Sequence, residues 1–139
     1  MLNQLNIQII SCLIFLMAMG SCNNMKAVQS DEYIKIGNGG GFTGIETIYT
    51  VYKNGQIEQN GKIMNKLKSS DVNQIFNNIE TLKLNSIEWN KPGNLYKFIE
   101  YSINGQVHKK TWDSNSTEIN EKLNLFYDHV NYLVQKSIK

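Results

Sequence analysis

The side chains able to do chemistry are few and scattered. His108 and His129 are the two histidines, and neither has a second His, a Cys or an Asp at the spacing a metal ion needs. Ser102, His108 and Asp113 supply the residue types of a hydrolytic triad, in which a base activates the serine hydroxyl and a carboxylate orients the base. Glu88 and Glu100 supply the two carboxylates of glycoside hydrolysis. Sets like these can be picked from almost any domain, and no HExxH, CxxC, phosphate-binding loop or nucleophile elbow singles one out. The expectation is a protein that is not an enzyme, with no catalytic residue, no metal site and no cofactor.

Chemistry of another kind is written at Cys22. The apolar run from Ile9 to Met19, interrupted only by Ser11, has the length of a signal-peptide core and is too short for a bilayer span of about 20 apolar residues. Gly20, Ser21 and Cys22 follow at once. Small residues before a cysteine at the end of such a run resemble a bacterial lipobox, where the signal is cleaved and the cysteine is acylated. Cys12 has too little apolar chain before it to compete. The expected organisation is a lipoprotein signal peptide over residues 1–21, a lipidated cysteine and polar tether over 22–32, and one domain over 33–139. That places the protein in the bacterial cell envelope, on the periplasmic or surface face, held to a membrane by palmitate-type chains on Cys22. A simple secretory signal with an incidental cysteine is the other reading.

The rest of the composition is that of an ordinary globular chain of 139 residues, enough for one domain. Fourteen cations against 12 carboxylates give a net charge of +2. All fourteen are lysine, and the absence of arginine counts against a nucleic-acid partner, because bidentate contacts to phosphate and guanine favour arginine. With its cysteine acylated the domain has no disulfide to rely on. Its stability must come from its core.

The most unusual stretch lies between Ile34 and Tyr52. Five of the ten glycines fall within residues 37–44, around a single large aromatic, Phe42. Glycine is favoured where backbone must take positive φ or let another surface approach. A ring in such a loop either folds back over the sheet or is covered by a partner. Trp89 sits in a second expected loop, built round Pro92 and Gly93, and is read either as a lid on the core or as a contact residue.

Strands and helices flank these loops. Residues 45–53 alternate as a half-buried strand, with Ile45, Tyr49 and Val51 on one face and Ile48 and Tyr52 on the other. Asn54-Gly55 predicts a type I′ hairpin returning through Gln56 to Met64, a strand weakened or bulged at Gly61. Val72, Ile75, Phe76, Ile79 and Leu82 fall on one face of a helix capped at Ser69 or Ser70. Leu95–Ile103 and Gln106–Trp112 form a second hairpin about Asn104-Gly105. A last helix, capped at Asn115 or Ser116, carries Ile119, Leu123, Phe126, Val130, Leu133 and Val134 to about Gln135. The order β-β-β-α-β-β-α predicts an α+β domain: an antiparallel sheet of about five strands with two amphipathic helices on one face.

Those elements, with Gly40-Gly41-Phe42-Thr43-Gly44 between the first two strands, resemble the emfourin-like proteinaceous inhibitors of M4 (thermolysin-type) metallopeptidases over about residues 33–134. Thr43 stands where that family carries alanine. The resemblance implies a peptidase partner contacted through Gly40, Gly41, Phe42 and Gly44, with Trp89 as a further candidate from its own loop. Because M4 peptidases cleave on the amino side of bulky apolar residues, it also implies that Phe42 fills the corresponding pocket. Two functional expectations stand side by side: a membrane-anchored inhibitor or binding lipoprotein, and a non-inhibitory envelope accessory lipoprotein that docks into a larger assembly.

Overall fold

The computed structural model describes residues 31–139, so the signal segment, Cys22 and most of the tether lie outside the described residues. The domain is α+β. A seven-stranded sheet runs in the order β4-β3-β2-β1-β6-β7-β5, with β1 Tyr33–Gly40, β2 Thr47–Tyr52, β3 Gln56–Gln59, β4 Lys62–Lys66, β5 Asn90–Lys91, β6 Leu95–Ile103 and β7 Gln106–Asp113. Helix α1 spans Ser69–Thr81 and α2 spans Glu121–Ile138. β1 is the middle strand, antiparallel to β2 on one side and β6 on the other.

The sheet departs from the five antiparallel strands expected in two places. Asn60-Gly61 is a tight turn, not a weak point: φ is 48° at Asn60 and 80° at Gly61, and Gln59 pairs directly with Lys62. Both central residues being left-handed makes it a two-residue type I′ hairpin, which divides the expected third strand into β3 and β4. At the other edge, two residues before Pro92 pair parallel to β7, so the sheet is mixed. Asn54-Gly55 also differs from expectation, since only Gly55 is left-handed and its N–H donates to the Tyr52 carbonyl at 2.8 Å. That is a three-residue turn with glycine at its αL position. Asn104-Gly105 has both φ values positive and joins Ile103 to Gln106 as expected.

Register decides which face is covered. Ile34 lies between Val51 and Tyr101, and Ile36 between Tyr49 and Ile99. These residues, with Ile57 and Trp112, form one buried cluster with Val72, Ile75, Phe76 and Ile79 of α1 and Leu123, Phe126, Tyr127, Val130 and Val134 of α2. Both helices therefore cover the same face. Trp112 meets Tyr127 edge-on, ring centroids 5.6 Å apart, a favoured aromatic geometry. The cap of α2 is Asn120, whose side chain accepts from the Lys122 N–H at 3.0 Å. Asn115 and Ser116, the expected caps, make a turn with Asp113 and Glu118 before the helix. Lys68 precedes α1 without a side-chain cap.

Among the described residues, no helix lies over the opposite face. Phe98 closes its centre, lying over Gly37, where an added Cβ would come 2.4 Å from the ring. Around it stand Tyr33, Lys35, Glu100 and Lys109. Burial works to raise the Glu100 pKa, but hydrogen bonds from Lys35 and Tyr33, each 3.0 Å, outweigh it and hold the carboxyl below its ordinary range. For Lys35, burial works the other way and the Glu100 partner prevails, raising its pKa.

Candidate functional site

The glycine loop is the turn between β1 and β2, residues 41–46. β1 ends because Gly40 and Gly41 take φ of 95° and 73°, values that side-chain-bearing residues adopt at a cost. Gly40 packs so closely on the chain before β6 that a Cβ there would lie 2.0 Å from the Asn94 carbonyl oxygen. The Gly41 N–H donates to that same oxygen at 2.8 Å. The loop is thus tied at its base and open beyond it, with Gly44 left-handed at φ 61° and no atom near where its Cβ would be.

Phe42 stands at the tip and is fully exposed. The ring does not fold back over the sheet. Ile45 is 69% exposed and Leu95 44% exposed, and Leu95 lies beneath Gly41, 3.2 Å from its hypothetical Cβ. Three apolar side chains are therefore shown to solvent on and beside one loop. Large exposed apolar groups gathered in one place mark a surface that another molecule covers. Ile45, expected within the second strand, belongs to this loop.

Glu46 closes the loop, and its carboxylate accepts the Tyr96 hydroxyl proton in a short hydrogen bond. That hydrogen bond is the leading cause of a Tyr96 pKa above the ordinary phenol value. A groove of about 650 Å³ opens beside this pair on the uncovered face of the sheet, lined by Glu46, Pro92, Tyr96, Lys109 and Thr111, with Glu88 and Asn90 on its far bank. Glu88 and Asn90 flank Trp89, so the glycine loop and the Trp89 segment border one depression.

Trp89 itself plays a different part in it. Its ring is half-buried against the core cluster, its Nε1 is buried, and its carbonyl accepts the Thr111 N–H at 3.2 Å. The side chain holds the segment against the edge of β7. Of the five expected contact residues, Gly41, Phe42 and Gly44 share one loop, Gly40 ends the strand that leads into it, and Trp89 supports the bank opposite.

No protein-family model matches the chain, and no curated protein matches it.

The Ser102, His108 and Asp113 set raised by the sequence is divided by register. Tyr101 pairs with His108 and Ser102 with Val107, so Ser102 and His108 point to opposite faces of the sheet. His108 stacks on Tyr101 at 5.1 Å. Glu100 is engaged by Lys35 and Tyr33, while Glu88 lies 3.9 Å from the buried Lys110. Among the described residues, no three His, Cys, Asp or Glu side chains are grouped to hold a metal ion. What the arrangement offers is a preformed apolar projection with a groove beside it. Sequence reasoning missed Ile45, Leu95 and Glu46; the signal for the first was an isoleucine directly after a glycine that has to be left-handed.

Proposed function

We propose that this protein is a small binding lipoprotein, anchored to a membrane through Cys22, that inserts its Phe42 loop into a concave site on a protein partner. The observation that carries the reading is the full exposure of Phe42 at the tip of a loop whose base is fixed to the Asn94 carbonyl. A fixed loop has already lost the conformational freedom that a flexible one would lose on binding, and this favours affinity. The glycines on either side leave the backbone free of side chains where it would pass close to the partner.

The partner class named by the resemblance to emfourin-like inhibitors is a thermolysin-type metallopeptidase, with Phe42 in the pocket that takes a substrate's bulky apolar side chain. The test is inhibition of such an enzyme by micromolar wild-type protein and by Phe42→Ala. A central aromatic anchor typically contributes 2 kcal/mol or more, so the variant should inhibit about thirtyfold less well with unchanged melting. Absence of inhibition by the wild type removes the peptidase reading. The non-inhibitory docking reading then takes its place, favoured by the groove and the uncovered sheet face beside the loop. Retrieval of partners from solubilised envelope is its test. Anchoring is checked separately: Cys22→Ala should release the protein from membranes, and metabolic labelling with fatty acid should mark only the wild type.

A further inference from the structure

The exposed tip formed by Phe42, Ile45 and Leu95 has two conceivable covers, a lipid surface or a protein. We infer that the domain points this tip away from its own membrane, toward a partner in the aqueous space within reach of the bilayer. The inference rests on the reading of Cys22 as the anchor.

The polarity of β1 is the first reason. The chain enters the domain at Glu32, whose carbonyl accepts the Lys53 N–H at 3.0 Å and whose carboxylate meets the Lys53 ammonium at 3.6 Å and the Asn104 N–H at 3.3 Å. Glu32 is thereby clamped between the Asn54-Gly55 and Asn104-Gly105 turns, at one pole of the sheet. β1 then runs its eight residues straight to the glycine loop, about 25 Å away at about 3.3 Å per residue. Because β1 is the middle strand and is paired on both sides along its length, the entry pole and the tip cannot be brought to the same side by bending.

Tether length is the second. Glu32 lies ten positions after Cys22 in the sequence, a reach of at most about 35 Å. With the length of β1 added, the tip works within about 60 Å of the lipid.

Charge is the third. Residues 37–46 contain one carboxylate, Glu46, and no lysine, whereas segments drawn to anionic lipid carry clustered basic residues. A hydrophobic tip at the far pole, with no lysine in residues 37–46 and beside a groove lined by side chains of both charges, suits a protein surface.

The experiment uses the full chain, lipidated in a bacterial host and reconstituted into phosphatidylcholine–phosphatidylglycerol vesicles carrying a headgroup nitroxide. A fluorophore is attached at Thr43→Cys on the loop or at Asn54→Cys on the entry pole. The label at 54 should be quenched several-fold more by the nitroxide lipid, and the label at 43 more by aqueous iodide. Equal or stronger lipid quenching at 43 overturns the inference and makes the tip a membrane-inserting device. The wild-type chain separates this from failure of the anchor: an acylated Cys22 floats with vesicles and resists maleimide. A chain that stays in solution with a reactive Cys22 refutes the anchor, and the orientation with it.

Discussion

Replacing Gly40 by alanine tests whether the base of the loop is built as described. The φ of 95° costs a residue with a side chain about 1–3 kcal/mol. The new methyl would also meet the Asn94 carbonyl oxygen at 2.0 Å, a backbone atom that cannot swing aside as a side chain would. Asn94 must move, and the Gly41 N–H loses its acceptor at 2.8 Å, which adds about 0.5–1.5 kcal/mol. The expected destabilisation is about 2–4 kcal/mol, read by urea titration, and a fall in melting temperature of roughly 10–15 °C for a domain near 100 residues. Gly44→Ala is the internal control. It is also left-handed, but nothing lies within 4 Å of its added Cβ, so it should cost only about 1–2 kcal/mol. Inhibition or partner binding should fall with Gly40→Ala even when measured well below its melting point, because the loop is displaced. A Gly40→Ala protein as stable as Gly44→Ala would refute the tie between the loop and Asn94.

The remaining expectations test other parts of the molecule. Phe76, 5% exposed beneath Lys53, should cost about 3–5 kcal/mol on replacement by alanine, and a change under about 0.5 kcal/mol would mean that α1 does not cover the sheet. Phe42→Ala, by contrast, should leave the urea midpoint within about 0.5 kcal/mol of wild type, because the ring buries nothing within the domain. Since the Glu100 pKa lies below its unfolded value, its contribution to stability is present above pH 4.5 and is lost as pH falls through the lower folded value; Glu100→Gln should flatten that part of the pH–stability curve. Burial pushes the Tyr101 and Tyr127 hydroxyls up to about 12, so ultraviolet titration should show these two tyrosines ionising only near that pH, and a normal midpoint for either would mean that its ring is not buried.

The helices were legible because burial follows their period: Val72, Ile75, Phe76 and Ile79 are the buried residues of α1. β7 was legible for the same reason at period two, with Lys110 and Trp112 buried and Lys109 exposed, whereas β6 buries the neighbours Phe98 and Ile99 alike and was read from its residue types and the Asn104-Gly105 turn. The short edge strands were not. Every residue of β4 is exposed, so it carries no alternation, and Asn60-Gly61 then read as a flaw within a longer strand. β5 is two residues held by register with β7, a pairing no local pattern announces. The start of α2 was misplaced because Ile119 keeps the helical spacing while lying outside the helix, ahead of the Asn120 cap. Of the site, the glycines and the aromatic were visible in the sequence. Whether Phe42 folds inward depended on the contact between Gly40 and Asn94, residues more than fifty positions apart, and Trp89 turned inward because the edge of β7 gave it a surface to cover.

The place of β1 has a consequence for how the sheet comes into being. Among the described strands it is the first in sequence and the middle one in space. Its pairing with β2 spans only a short loop and can close within microseconds. Its other neighbour, β6, follows only after β2, β3, β4, α1 and β5, with Tyr33 opposite Ser102. Closing so long a loop makes that pairing the slow step of folding. Until it closes, one edge of β1 and the apolar side of Ile34 and Ile36 stand open, the condition in which strands recruit other chains. Gly37, Gly39 and Gly40 lie in the waiting strand, and glycine weakens strand pairing. The glycines of β1 therefore make the unfinished edge a poor template for aggregation.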